Sequence, residues 1–243
     1  MVGKSFSEVT MNWQTLAGCL FPQGHTIVLQ GDLLIGSGRC GEQDFAVTGT
    51  ANHAEVGVEI TLGMARKVLD TIRKHPRRPI LFLTDTQGQR LRRRDELLGL
   101  NSYMAHLGKC VEVARAHGHP IIGLVYDQAL SGGFIASAMG ADICGALPNA
   151  QIRVMGLAAT ARVTRLSEEK LQALSQTSPV FGPGADNYVK MGAIDALWYG
   201  DLAASLESAL ANADGRDHRS ELGLQRGGRK LAYPVAQDVA GDA

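Results

Sequence analysis

The sequence predicts an α/β protein with parallel strands, on two observations. PILFLTDTQG at 79–88 and PIIGLVYDQALSGG at 120–133 each run from a Pro-Ile start through an apolar strand to an aspartate and a glycine turn, and they begin 41 residues apart. Between them Leu97, Leu100, Tyr103, Met104, Leu107 and Val111 recur at intervals of three or four, which predicts a helix of about twenty residues. Strand, long helix and strand in one direction form a βαβ unit. Composition agrees: 243 residues, 45% hydrophobic and 20% charged, suffice for a sizeable core.

The remaining elements follow in order. TIVLQGDLLI at 26–35 is β-branched and apolar around a Gly31-Asp32 turn signal, which predicts a hairpin or two short strands, and QDFAVTG predicts another strand. Ile60, Met64, Val68 and Ile72 recur every four residues, so a helix from about Val58 to Lys74 ends before Pro76. After the second glycine turn, FIASAMGA reads as a helix whose small residues require close neighbours; DICGAL and QIRVMG read as short strands. Helical patterns cover 163–175 and 185–210, and the intervening SPVFGPG reads as a rigid loop. One domain is expected over 1–212, with 213–243 a flexible or partner-docking tail.

Charge and cysteine usage exclude several classes. Twenty-four basic residues balance twenty-four acidic ones, against wholesale nucleic-acid binding. Cys19, Cys40, Cys110 and Cys144 are widely spaced, with no zinc pattern or disulfide framework, and read as reduced thiols of a cytoplasmic protein. No histidine pair shows a metal spacing, and no run approaches a membrane span. His117 and His119 read as helix-terminating and His53 as a surface residue, while Asp85 and Asp127 fit acid/base or turn-forming roles alike.

The chemistry is expected at DQALSGGF. A nucleophile elbow requires Gly-x-Ser-x-Gly, but Ala129 stands at the first glycine of that pattern; neither a dinucleotide fingerprint nor a phosphate-loop motif occurs. The remaining functional reading uses the backbone. Gly132 and Gly133 open a helix, where unpaired N–H groups and the dipole favour an anionic oxygen, forming an oxyanion hole. The plainer alternative is that the glycines relax a tight turn. A second glycine turn, at Gly88 on the neighbouring strand, favours function, because ligands of parallel sheets bind at the carboxyl ends of strands.

PILFLTDTQGQ, the long helix, PIIGLVYDQALSGGFIASAMGAD and ALPNAQIRVMG together resemble the crotonase-like carboxyltransferase subunits, and within them the gamma subunits of biotin-independent malonate decarboxylase. The resemblance spans about residues 25–200 and implies a crotonase-like (ClpP/crotonase) spiral of repeated ββα units. Gln87 stands where carboxyltransferases carry proline, so biotin is not expected.

The resemblance further implies a decarboxylase subunit that works with a homologous beta subunit. The substrate is malonyl thioester on the phosphopantetheine-type arm of an acyl carrier protein, and the product is acetyl thioester, with no directly bound cofactor. Catalysis then falls to Gly132, Gly133, Ser131 and Gly88, and substrate contact to Gln87, Met155, Gly156, Arg90 and Arg92. The arginine run 90–94 otherwise reads as a solvated loop. Ser131 is expected to cap its helix or bond substrate.

ClpP-like serine peptidases place a nucleophile at the Ser131 position and a histidine 26 residues later, where this chain has Leu157; the base is missing. A non-catalytic partner subunit of an acyl-CoA carboxyltransferase-like complex is the other alternative. A hydratase or isomerase of this fold needs a carboxylate pair at the second turn, which Ser131-Gly132-Gly133 does not supply.

Overall fold

The computed structural model describes residues 11–177, 182, 184–228 and 230–241; most of the loop expected from SPVFGPG lies outside the described residues. The chain opens with α1 (Trp13–Leu20), β1 (Val28–Gln30), β2 (Leu33–Cys40), β3 (Gln43–Thr50), β4 (Ala54–Val56) and α2 (Val58–Lys74). β5 (Ile80–Gln89) is followed by α3 (Arg93–Leu97) and α4 (Leu100–Ala116), then β6 (Ile121–Leu130) runs directly into α5 (Ser131–Ile135) and a 3-10 turn at Ala138–Gly140. Next come β7 (Ile143–Ala146), β8 (Gln151–Arg153), α6 (Leu157–Thr164) and α7 (Glu168–Thr177). α8 (Ala185–Lys190), β9 (Ala196–Leu197), α9 (Leu202–Asn212), α10 (Arg219–Gln225) and α11 (Ala232–Gly241) follow.

The strands form one sheet in the order β1-β2-β3-β5-β6-β7-β9, antiparallel at the β1-β2-β3 edge and parallel beyond it. Its edges change hands along the long strands. β3 pairs with the first half of β5 and β4 with residues from Thr86 to Gln89; likewise β7 pairs with the first half of β6 and β8 with Gln128–Leu130. A register shift between Thr84 and Thr86 marks the same division in the β5–β6 pair. Strand, short strand, helix occurs at β3-β4-α2 and at β7-β8-α6, while in β5 and β6 one continuous ten-residue strand spans both positions before its helix.

Both faces of the sheet are covered, which explains why β5 and β6 read as continuous apolar runs rather than alternating ones. Ile80 and Phe82 pack with Met64, Val68, Leu107 and Val111 of α2 and α4. Leu81 and Leu83 face the other way, into a cluster with Leu16 and Leu20 of α1 and Leu206 of α9. Helix α2 has the predicted bounds, and Gly31-Asp32 is the β1–β2 turn.

Several elements are shorter than expected. The helix between β5 and β6 breaks at Gly99, whose φ of +76° is left-handed, into α3 and α4. FIASAMGA is not one helix: the Ser137 hydroxyl donates to Gly133 O at 2.7 Å and Ser137 leaves helical geometry, so α5 stops and a 3-10 turn follows. The 163–175 pattern is interrupted by Arg165 at φ +59°, and β9 interrupts the 185–210 pattern by pairing with β7. Within the 213–243 tail, α10 is tied to the body, because Arg226 donates to the carbonyls of Val189, Ile194 and Asp195 and Arg219 to Met139 O. Helix α11 buries no residue.

The small residues after α5 do have the close neighbour they implied. A Cβ at Gly123 in β6 would lie 2.6 Å from Ala138 O, so strand and 3-10 turn touch backbone to backbone. Gly123→Val is expected to lower unfolding stability by about 3 kcal/mol, the upper range for overpacking. Urea unfolding measures this, and a stability equal to wild type would show that the turn is free to move.

Candidate functional site

The site forms where β5 and β6 end side by side. Gly88 has φ +106°, and a Cβ there would meet the Ser131 Cβ at 3.1 Å, so the two turns are in contact. Gly133 lies under them: its Cβ would stand 3.0 Å from both Thr86 Oγ1 and Val56 Cγ2 and 3.3 Å from the Gly88 carbonyl carbon. Any side chain at 133 would push α5 off β4 and β5. Both glycines are therefore required by close approach.

Ser131 is non-glycine yet adopts φ +52°, a strained conformation that allows β6 to enter α5 without a connecting loop. The N-cap position is Leu130, which makes no side-chain cap bond, so Ser131 does not cap the helix as expected but sits inside its first turn. Gly132 is half-buried, and its N–H donates to Gln89 Oε1 at 3.0 Å. The donor proposed for a substrate anion thus already holds a neutral amide oxygen. The Gly88 N–H instead points inward, to Thr86 Oγ1 at 2.9 Å, while the Thr86 hydroxyl donates to Ala54 O at 2.6 Å. Gly88 contributes shape to the site, and Thr86 locks that shape.

The other expected residues fall into two groups. Gln87 is exposed beside Gly88. Because Arg153 pairs with Leu130, Val154, Met155 and Gly156 leave the sheet at the level of Ser131, and Met155 is exposed. Arg90 and Arg92 are less available. Arg90 lies 3.7 Å from Glu55 and 3.9 Å from Glu59, Arg92 lies 3.4 Å from Glu55, and Arg94 pairs with Glu59 at 2.6 Å. The basic run is a charge lattice over β4 and α2 before it is a phosphate clamp.

Gln89 and Thr86 escape sequence reading because nothing in spacing distinguishes them from strand residues. The fold also collects His53, Asp85 and Asp127, whose ligand atoms lie within 4.8 Å of one another. His53 is exposed, as the sequence implied, but it is not isolated: its Nε2 is 2.9 Å from Asp127 Oδ2. His117 does end its helix, with Nδ1 2.8 Å from Val113 O.

Among the described residues no side-chain base is bonded to Ser131, and the paired glycine turns with the Gly132 N–H fit backbone stabilisation of negative charge. Comparison with known proteins agrees. The family model for the malonate decarboxylase gamma subunit matches residues 51–243. The chain belongs to the malonate decarboxylase gamma-subunit family.

Solved structures place this gamma-subunit chain in the same group. It is similar to a chain of the Pseudomonas malonate decarboxylase hetero-tetramer in complex with coenzyme A, with 27% identity, TM-score 0.78, and 94% of this chain and 98% of that chain covered. It is also similar to a chain of the Pseudomonas MdcD-MdcE hetero-dimer, at 26% identity and TM-score 0.74, covering 93% of this chain and 97% of that one. A curated relative from Malonomonas rubra, malonyl-S-ACP:biotin-protein carboxyltransferase MADD, is 29% identical over 235 residues, covering 83% of this chain and 80% of that protein. Transcarboxylase 12S shares the fold at 19% identity and TM-score 0.68, with this chain spanning 40% of its length. The fold is therefore the crotonase-type carboxyltransferase fold, and the gamma-subunit chain is part of a decarboxylase or carboxyl-transfer enzyme. Among the described residues no helix is long and apolar enough to cross a membrane.

Ser131→Gly is expected to raise stability by about 0.5–1 kcal/mol by relieving the left-handed strain, without loss of the fold. Thermal unfolding of the purified chain measures it. A destabilised variant would mean that the hydroxyl has a structural partner.

Proposed function

We propose that this chain supplies one half of a decarboxylation site, completed by a homologous beta subunit and acting on malonyl thioester carried on the phosphopantetheine arm of an acyl carrier protein. The observation that carries the reading is the Gly132 N–H, presented at the end of β6 and held by a displaceable neutral oxygen of Gln89. A substrate carboxylate is a stronger acceptor than an amide oxygen, and charge-assisted hydrogen bonds are about twice as strong as neutral ones. Gln89 then acts as a stand-in that leaves when substrate arrives.

The chemistry follows from what must be stabilised. When the bond between the carboxylate carbon and the α-carbon breaks, its electron pair passes into the thioester as an enolate; a proton then adds to the α-carbon to give acetyl thioester. Gly132 and Gly133 hold the departing carboxylate out of the thioester plane, in a site that strips its water, and the partner's equivalent turn holds the enolate oxygen. Ser131, Gly88 and Gln87 shape the entry of this half-site, Met155 and Gly156 line it, and Arg90 and Arg92 meet the carrier side through the edge of their lattice with Glu55 and Glu59.

Apolar side chains exposed on the segments that follow β5, β6 and β8, Leu91, Leu97, Ile135, Val154, Met155 and Val163, form the surface proposed for the beta subunit. An exposed apolar rim around a half-built site fits a partner that also contributes chemistry. The similarity to MADD favours a second reading, transfer of the carboxyl group to a biotin protein. The Gln87 turn favours free carbon dioxide instead.

Co-purified with the beta subunit, this chain is expected to release carbon dioxide from malonyl carrier protein with no biotinylated protein present, whereas either subunit alone is inactive. Turnover by this chain alone would overturn the shared site, and turnover only with a biotinylated acceptor would establish transfer. Leu97→Asp is expected to abolish co-purification while the variant stays folded.

A further inference from the structure

We propose that His53 is a positioning residue for this half-site: held between Asp85 and Asp127, it fixes the loop from Ala51 to Ala54 and through it β4, against which the Gly88 turn and α5 are seated. The inference rests on the decarboxylation reading above for its kinetic consequence and on geometry alone for its structural one.

The loop needs a clamp. Asn52 and His53 are successive non-glycine residues at φ +60° and +51°, in the left-handed region that L-residues disfavour, His53 more than Asn52. Three contacts hold them there. Asn52 Nδ2 donates to Asp32 Oδ1 at 3.1 Å, the His53 N–H donates to Asp85 Oδ2 at 2.8 Å, and His53 Nε2 lies 2.9 Å from Asp127 Oδ2 and 3.7 Å from Asp85 Oδ1. Asp85 is buried, and its other oxygen accepts the Gln128 N–H at 3.4 Å. Among the described residues the ion pairs of Asp85 and Asp127 are both made with His53, and no lysine or arginine pairs with either. When protonated, the imidazole is thus the counter-charge for two carboxylates on adjacent strands.

The next residue transmits the position. Ala54 O accepts the Thr86 hydroxyl, which accepts the Gly88 N–H, and β4 pairs with β5 at Thr86, Gly88 and Gln89. Val56, two residues further, is the side chain that a Cβ at Gly133 would strike, and its carbonyl accepts the Arg90 N–H at 3.0 Å. A shift of the His53 loop therefore moves the wall behind both glycine turns. Side chains alternate along β5, so Asp85 and Thr86 work on opposite faces, the clamp on one and the site on the other.

The clamp has a pH sense. The hydrogen bond to Asp127, with the nearby Asp85 charge, raises the His53 pKa above its ordinary 6.5 against a partial loss of hydration. A group with a raised folded-state value gives its full stabilisation below the unfolded value, and the contribution is lost as pH rises through the folded one. Burial raises Asp85, and burial pushes the Tyr126 phenol far up, so it stays neutral while donating to Thr50 O at 2.9 Å. Asp32 reaches the loop through Asn52 alone.

The test uses the complex with the beta subunit in wild type, His53→Gln and Asp127→Asn; the last keeps side-chain volume and the backbone contacts of Asp85. Amide hydrogen exchange in 51–57 and 86–90, corrected for the chemical rate, is followed from about pH 6 to about pH 9, with steady-state decarboxylation in parallel. In wild type, protection of both segments and kcat should fall together as pH rises, with KM for the carrier substrate unchanged. In both variants kcat should be about tenfold to a hundredfold lower and its decline with pH lost, as expected for a misplaced site. Unchanged protection of 86–90 in both variants, or wild-type kcat, overturns the proposal; so does one equivalent of Mn2+ bound by wild type and lost in His53→Gln, which would make the cluster a metal site. If exchange responds as expected but the complex releases no carbon dioxide, the clamp stands and the decarboxylation reading falls.

Discussion

The parallel pairing of β5 with β6, interrupted between Thr84 and Thr86, is the constraint on which the rest of the structure depends. Before the interruption both strands belong to a double-faced core, with β3 and β7 outside them; after it, β4 and β8 replace those neighbours. That exchange releases the strand ends from the core and turns them into a shelf. Gly88 and Ser131 meet on this shelf because their strands are adjacent and in register, and α5 can lie across it because Gly133 has no side chain. The site is therefore a consequence of the ββα repeat, occurring where two repeats end side by side.

Much of this was legible from residue order. The apolar runs of β5 and β6 announced parallel strands, and the repeat of strand, aspartate and glycine turn announced a common end. Helix α2 could be bounded because its apolar positions keep one period and Pro76 follows. Breaks were not legible where they depend on a single torsion, as at Gly99 and Arg165, or on one hydroxyl, as at Ser137. Helix α1 carried its signal in Asn12, whose side chain accepts the Thr15 N–H at 2.8 Å, but a short N-terminal helix offers little periodicity to read.

The site divides in the same way. Glycines are visible because they are rare permissions in the backbone, so Gly88, Gly132 and Gly133 stood out. Gln89, Thr86 and Val56, which fill, lock and back those glycines, are ordinary strand residues until the fold brings them into contact. His53 is separated from Asp85 by 32 residues and from Asp127 by 74, so no spacing rule could join them. Local chemistry is written locally, whereas its support is written across the sheet.

The central claim is that a backbone N–H, not a reactive side chain, carries the chemistry of this chain. It is tested most directly by replacing Gly132 with glycolic acid, which exchanges the amide for an ester, deletes that donor and weakens the Ser131 carbonyl as an acceptor without adding a side chain, and measuring kcat of the assembled complex on malonyl carrier protein. Loss of the donor that orients the carboxylate should lower kcat by about tenfold to a hundredfold while the complex stays assembled. Wild-type turnover in the ester variant would contradict the account.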